Sequence, residues 1–413
     1  MAGIANILLQ GVLIVLIVYL TASVLYHLAL AASYLLIRRK VLPPVQPRTK
    51  FAIVVPAHNE EMLIDRFCRN ILNIEYPISM REIFIIADNC SDGTAAISKS
   101  HPVRVLSRFD EINTGKGYAL RWAFEHIGID DFDAVLVIDA DTEVDPSILK
   151  ELNMMIISGS QAIQCYETIS NRGESWFTQL IFVSRTINSL LYHYAKYKIG
   201  LSSYLMGVGM CFRTSLLRKI PWTAYTLSED WEYTARLNER NIKIDFAVGA
   251  KVFPQESRSL RQATSQRLRW SKGRFHIVKN LGLKLFIQGV RTKNWIMADS
   301  SLSLLFPNWS LQINLILMAL LLSFILPYSK ITSMSIITCF LMLAAQGIIL
   351  AIGMVLAGDF WQVFKAILIA PIFLIWKFVI DFVSMTGIYR GKRWVRADRH
   401  IPEDRLKEKT LKL

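Results

Sequence analysis

The chain has 413 residues, 53% of them apolar, and a formal net charge of +14; the apolar excess sits in residues 1–40 and from about Leu311 to Met385, which excludes an ordinary soluble domain. The basic charge comes without any nucleic-acid motif and flanks the apolar ends, so it fits anionic lipid and cytosolic loops, with no nucleic-acid partner. The five cysteines (Cys68, Cys90, Cys165, Cys211, Cys339) form no C-x-x-C pair, which argues against zinc and a disulfide framework and for a reduced, cytosol-facing catalytic part.

Ile7 to Ile37 is nearly unbroken apolar sequence closed by Arg38, Arg39 and Lys40. A cleaved leader would carry a basic start and a shorter apolar run, whereas residues 1–6 hold no Lys or Arg. Roughly 20 residues span a bilayer. Residues 1–40 therefore read as a long or tilted transmembrane helix, or a tight pair, with the basic end cytosolic. Val41 to Lys50, with three prolines, is a stiff linker.

From Phe51 strands alternate with helices. Phe51 to Val55 is predicted as a strand stopped by Pro56. Glu60 to Ile71 follows as a helix with apolar Met62, Ile64, Phe67, Cys68 and Ile71 and with Asn59 as N-cap. Ile83 to Ala87 is a strand ending at Asp88, and Ser91 to Thr94 opens another helix. Val103 to Leu106 is a short strand, Gly115 to Ile127 a helix, and Ala134 to Ile138 a strand buried on both faces. This alternation predicts an α/β fold with a doubly wound, mostly parallel sheet. The absence of G-x-G-x-x-G after the first strand argues against a dehydrogenase-type dinucleotide fold.

The strand Ala134–Ile138 ends in Asp139 and Asp141. Ligands of open α/β sheets collect beyond the carboxyl ends of the strands, and two hard carboxylates suit Mg²⁺ or Mn²⁺ shared with a substrate diphosphate. Acids are also ordinary turn formers, so the pair takes its meaning from its company. Glu60 and Asp88 follow earlier strands at the same predicted edge, where acids bond ribose hydroxyls or a base N–H. Asn113-Thr-Gly-Lys-Gly117 starts a helix; its glycines admit a phosphate and Lys116 adds charge, though a capping turn looks the same. Leu227-Ser-Glu-Asp230 precedes a helix from Trp231 to Leu237, where acids also suit the helix dipole. In the helical Gln266-Arg-Leu-Arg-Trp270, Gln266, Arg269 and Trp270 share one face, while Arg267 and Lys272 are expected to face lipid head groups.

Further on, His276 to Gly289 and Trp295 to Trp309 read as amphipathic helices in the membrane interface. Leu311 to Leu326 and Ile336 to Leu356 are predicted spans. Phe364 to Met385 is a third, whose Lys377 and Asp381 either face a bundle interior or mark the interfacial end. Three crossings would leave the basic tail, 387–413, outside, against the positive-inside rule. Either the third segment crosses incompletely or the rule fails.

On these residues the chain resembles the membrane-integrated family-2 glycosyltransferases, the group containing cellulose, chitin, hyaluronan and poly-N-acetylglucosamine synthases. Pro56-Ala-His-Asn-Glu60 resembles their first-strand signature, Asp88 the acid that reads the base, and Asp139-Ala-Asp141 the metal motif. Gly207-Val-Gly209 is similar to the loop lining the acceptor site. Ser228-Glu-Asp230 resembles the motif whose last Asp is the catalytic base, and Gln266 to Trp270 the Q-x-x-R-W motif of chain-extending members. The likeness covers Phe51 to Phe275 and the flanking membrane segments. Tyr204-Leu-Met-Gly207 departs from the aromatic-Cys-Gly pattern of cellulose synthases, which puts that polymer in doubt.

The resemblance implies a GT-A catalytic domain over residues 50–275, interfacial helices over 276–308 and transmembrane helices over 309–386. It implies inverting transfer from a UDP-linked sugar, with Asp230 as base and a cofactor Mg²⁺ or Mn²⁺ on Asp139 and Asp141. Pro56, Glu60, Asp88, Lys116, Asp139, Gln266 and Arg269 are then the nucleotide-binding residues, and Gly207, Gly209 and Trp270 hold the acceptor. The expected function is a processive β-glycan synthase of the cell membrane. The alternative is a transferase adding one sugar to a lipid carrier. With so few spans, a polymer channel implies a homo-oligomer or an accessory export subunit. A non-catalytic basic membrane scaffold would need none of the acids.

Overall fold

The structure, a computed structural model, describes residues 2–38, 43–358 and 360–386. Arg39, Lys40 and the basic tail, 387–413, lie outside the described residues. Helix α1 (Ala2–Leu36) precedes β1 (Phe51–Ala57), α2 (Ile64–Leu72), β2 (Arg81–Asp88), α3 (Thr94–Lys99), β3 (Arg104–Arg108) and α4 (Lys116–His126). Next come β4 (Ala134–Val137), β5 (Thr142–Val144), α5 (Ile148–Ile157), β6 (Ala162–Glu167) and α6 (Trp176–Thr186), the last running through a π-helical stretch into α7 (Ala195–Lys198). Then follow β7 (Met210–Arg213), α8 (Thr214–Lys219), α9 (Glu229–Glu239), β8 (Ile244–Pro254) and α10 (Leu260–Ile277). Six helices complete the described chain: α11 (Leu283–Arg291), α12 (Trp295–Leu305), α13 (Trp309–Ile325), α14 (Lys330–Ala357), α15 (Phe360–Leu368) and α16 (Ala370–Thr386).

The strands form one eight-stranded sheet in the order β3-β2-β1-β4-β7-β6-β8-β5. It is mixed: β7 runs antiparallel to both β4 and β6, and β5 antiparallel to β8, while the other pairs are parallel. The reversal of β7 matters for the site, because its amino end then lies at the same edge as the carboxyl ends of β1, β2 and β4. Alternate residues of each central strand enter two cores. Ile53, Val55, Ile85 and Leu136 pack on the side of α2 and α5, and Val54, Phe84, Ile86 and Val135 on the side of α4 and α9. A strand covered on both faces must be apolar at every position, which is why Ala134 to Ile138 has no polar alternation.

Several expectations are corrected here. Pro56 does not stop β1; it pairs in register with Ile86 of β2. Its missing N–H falls on the β4 side, where that ladder has already ended at Val54. Asn59 does not cap a helix either. It adopts φ 55° and its Oδ1 accepts from the Ser91 N–H at 2.8 Å, while Glu60 to Leu63 make a turn and α2 begins only at Ile64.

In the membrane end, α1 and α14 are each long and apolar enough to cross a bilayer, and α12–α13 and α15–α16 add bent pairs of 62° and 60°. The predicted single span Phe364–Met385 is therefore broken near Ile369. Lys377 and Asp381 pair with each other, and Ser271 of α10 donates to Asp381 at 2.7 Å. Trp376 Nε1 donates to Thr264 at 3.1 Å, so α16 lies along α10 by its polar face. Helix α1 packs on α13 and α14 through Leu13, Leu20, Ile316 and Met342. Gln312 donates to Ser23 at 2.8 Å across that seam.

Candidate active site

The site is built where β1, β2 and β4 end and β7 begins. After β4 the chain makes a tight turn in which the Thr142 N–H donates to the Asp139 carbonyl at 3.0 Å. Asp141 accepts from Thr142 Oγ1 at 3.0 Å. Lys116, at the start of α4, forms an ion pair with Asp139 and donates to the Gly207 carbonyl at 2.7 Å. Burial works against the Lys116 charge, but Asp139, Glu229 and Asp230 outweigh it and raise its pKa.

Gly207 and Gly209 have φ of +87° and +65°, a region that L side chains rarely adopt. A Cβ on Gly209 would lie 2.8 Å from Cys165 Cβ, and one on Gly207 3.5 Å from Asp230 Oδ2. The loop is held from β6, where Gln164 donates to the Val208 carbonyl at 2.7 Å and accepts from the Met206 N–H at 2.9 Å. Gly207 thus brings backbone directly against Lys116 and Asp230, while Gly209 packs on Cys165 and Val252.

Asp230 sits in the first turn of α9 and accepts from the Trp231 N–H at 2.8 Å. Burial first, and then the neighbouring Glu229 carboxylate, raise its pKa. The pKa of Glu229 is also raised, by burial first, with Lys116 opposing and Asp139 adding to the shift, and with Arg269 pulling it down. Asp139, Lys116, Glu229, Asp230 and Arg269 therefore act on one another electrostatically, although they come from β4, α4, α9 and α10. Two close packings hold the frame. Gly117 lets α4 lie against the Ala224 carbonyl, and Gly273 lets α10 lie against Ser228.

The remaining predicted residues fall as follows. Asp88 is 6% exposed and binds Arg108 at 2.5 Å; burial raises its pKa and Arg108 opposes that. Arg108 also reaches Asp110 at 2.9 Å. Glu60 is buried and its N–H donates to Thr94 Oγ1 at 2.7 Å. Pro56 is half-buried near the end of β1. Gln266 and Arg269 are half-buried on α10, and Trp270 beside them is 37% exposed.

Arg267 does not face head groups. It pairs with Glu256 at 2.8 Å and lies 4.7 Å over the Trp270 ring. Sequence reasoning gave no role to Arg108, Glu167, Arg185 or Glu256, single charged residues with no local pattern. Nor did it foresee the stack of Trp231 on Tyr204, ring centroids 4.1 Å apart.

The donor set fits a hard divalent cation only in part. Among the described residues no three His, Cys, Asp or Glu side chains gather as a ligand set. Two aspartates one residue apart would supply only part of a Mg²⁺ or Mn²⁺ shell, the other oxygens having to come from a diphosphate and water.

Residues 47–273, more than half of the chain, match the model described as glycosyltransferase like family 2. The chain is 24% identical over 238 residues to the probable glycosyltransferase YdaM of Bacillus subtilis (strain 168), covering 55% of this chain and 56% of that protein. It is 27% identical over 229 residues to the beta-monoglucosyldiacylglycerol synthase of Trichormus variabilis (strain ATCC 29413 / PCC 7937), covering 54% and 48%. The chain thus spans about half the length of the curated relatives it matches. In fold it is similar to the mannosyltransferase PcManGT from Pyrobaculum calidifontis, solved in complex with GDP-Man and Mn²⁺, with a TM-score of 0.56, 18% identity, and 91% of this chain and 99% of that one covered. The mixed sheet, the acids at its edge and the match over 47–273 have one reading: the chain belongs to the family-2 glycosyltransferases and carries their GT-A-type catalytic fold.

Proposed function

We propose that this chain moves a hexosyl group from a UDP-linked donor to a hydroxyl of a membrane-held glycan acceptor, with inversion at the anomeric carbon. The observation that carries the reading is Asp230, a carboxylate with a raised pKa set against the Gly207 backbone that Lys116 ties to Asp139. Asp230 takes the proton of the acceptor hydroxyl. That oxygen attacks the anomeric carbon opposite the diphosphate, whose C–O bond breaks with the electron pair leaving on the diphosphate, so an α-linked donor gives a β-glycoside. Lys116, Gln266 and Arg269 bind the diphosphate, and Asp88 and Glu60 the nucleoside. Asp139 and Asp141 would hold a Mg²⁺ or Mn²⁺, which when bound would neutralise charge on the leaving group.

Trp270 supports a sugar acceptor, because its partly open indole offers a flat apolar face for stacking. A second reading, transfer of one sugar to a lipid hydroxyl, is favoured by what flanks the base. Trp231 packs with Leu285, Met297 and Leu304 of α11 and α12, and α12 belongs to one of the bent apolar pairs. Mass analysis of product from purified protein given several nucleotide sugars separates the two. A ladder or long chain is expected, and a single-sugar glycolipid as sole product would replace it with the lipid reading. Trp270→Ala is expected to reduce extension more than donor hydrolysis; equal losses in both would remove it from the acceptor site.

The pH dependence follows from the acid pair. Asp230 acts as base only when ionised, so activity falls as pH drops through its raised pKa. Glu229→Gln removes the negative neighbour that helps raise it. The acid limb of kcat should therefore move to lower pH in that variant. An unmoved limb, or one displaced upward, would assign the titration to another group.

A further inference from the structure

Four side chains of alternating charge run from the sheet edge to the acceptor side: buried Glu167 at the end of β6, half-buried Arg185 on α6, buried Glu256 after β8 and half-buried Arg267 on α10. Arg185 lies 2.9 Å from Glu167 and 4.0 Å from Glu256, and Arg267 lies 2.8 Å from Glu256. Withdrawing four charges from water is costly, and apolar side chains of similar volume often hold a fold as well. Stability alone therefore does not account for them.

The end of the chain points to what it does. Arg267 Cζ lies 4.7 Å over the Trp270 ring, one helical turn away, and Trp270 still leaves 37% of its surface open. The planar guanidinium thus covers part of the indole and leaves the rest to a ligand. Glu256 is itself fixed in the loop after β8. Its N–H donates to Asn171 Oδ1 at 3.0 Å, and Asn171 Nδ2 donates to the Glu256 carbonyl at 2.8 Å.

We infer that Glu256 is a positioning residue for the acceptor: it locks Arg267, and Arg267 sets the plane in which Trp270 meets the acceptor sugar. The inference rests on the acceptor role proposed above for Trp270. Without the carboxylate, Arg267 is free to swing toward Glu167 and the indole loses its backing. A sugar stacked on a ring that is no longer held in plane binds more weakly, whereas most of the donor side (Glu60, Asp88, Lys116, Asp139 and Asp141) lies outside α10.

The test uses full-length protein in detergent with UDP-glucose, UDP-N-acetylglucosamine and GDP-mannose, each paired with the β-linked tetrasaccharide of the same sugar. Glu256→Gln should raise the acceptor KM about tenfold, with donor KM and acceptor-free donor hydrolysis unchanged. Glu256→Asp should restore part of the loss. Arg267→Lys, which keeps the charge but not the planar stack, should act like Glu256→Gln and serves if the latter fails to fold. In a Trp270→Ala background, Glu256→Gln should have no further effect on acceptor KM. Independent, additive effects, or an equal rise in donor KM, would overturn the positioning role. If Trp270→Ala itself leaves acceptor KM unchanged, or no tetrasaccharide is extended, it is the acceptor reading of Trp270 that fails, and the inference with it.

Discussion

Asp230→Asn is expected to lower sugar transfer by about 10²- to 10⁴-fold, the usual contribution of a positioned general base, and to leave nucleotide binding largely intact. The change is nearly isosteric. The new amide oxygen still accepts from the Trp231 N–H, which Asp230 holds at 2.8 Å, so the first turn of α9 keeps its geometry. What is lost is the ability to take a proton. The substitution also withdraws one of two adjacent acids whose charged forms burial disfavours, so folding should not suffer. Product formation by mass analysis, beside calorimetric titration with UDP, measures the two effects separately. Normal turnover in the variant would remove Asp230 as the base and move attention to Glu229.

The second large effect concerns the divalent cation. Asp141→Ala, or an excess of chelator, should suppress both donor binding and transfer, by about a hundredfold or more given the several kcal/mol such an ion contributes at a departing phosphate. Asp139 and Asp141 are not equivalent in this respect. Asp139 also carries the Lys116 ion pair, so Asp139→Ala should in addition loosen Lys116 from the Gly207 loop, and Mn²⁺ should not rescue it. Asp141→Ala leaves the Asp139–Lys116 pair in place, so excess Mn²⁺ should partly rescue that variant. Donor affinity measured across a metal titration checks both. Retained activity in excess chelator would defeat the metal assignment and leave Lys116 and Arg269 to neutralise the diphosphate alone.

Much of the sheet domain was legible in the residues because its signals are local. The run Ala134 to Ile138 has no polar alternation, the Gly115-Lys-Gly117 turn precedes a helix, and Gln266 to Trp270 has helical spacing. Each lies in a described element within a few residues of its expected bounds. The errors came where a local pattern met a partner from far along the chain. Asn59 has the composition of an N-cap, yet its side chain is taken by Ser91. Arg267 has the position of a lipid-facing cation, yet Glu256 claims it. That Lys377 and Asp381 meet Ser271 of α10 had no local signal either.

By itself, then, the sequence determined the acids, the glycines, Trp270 and the alternation of strands and helices from Phe51 to Ile138, since propensity, periodicity and turn chemistry act over a few residues. Tertiary structure alone decided that β7 runs backwards beside β4, which carries Gly207 to Lys116 and Asp230. It alone decided that Arg267 reaches inward and that α16 lies along α10. Those outcomes depend on which charges can be paired once water is excluded, and such pairings join residues tens to hundreds of positions apart, where no local pattern records them.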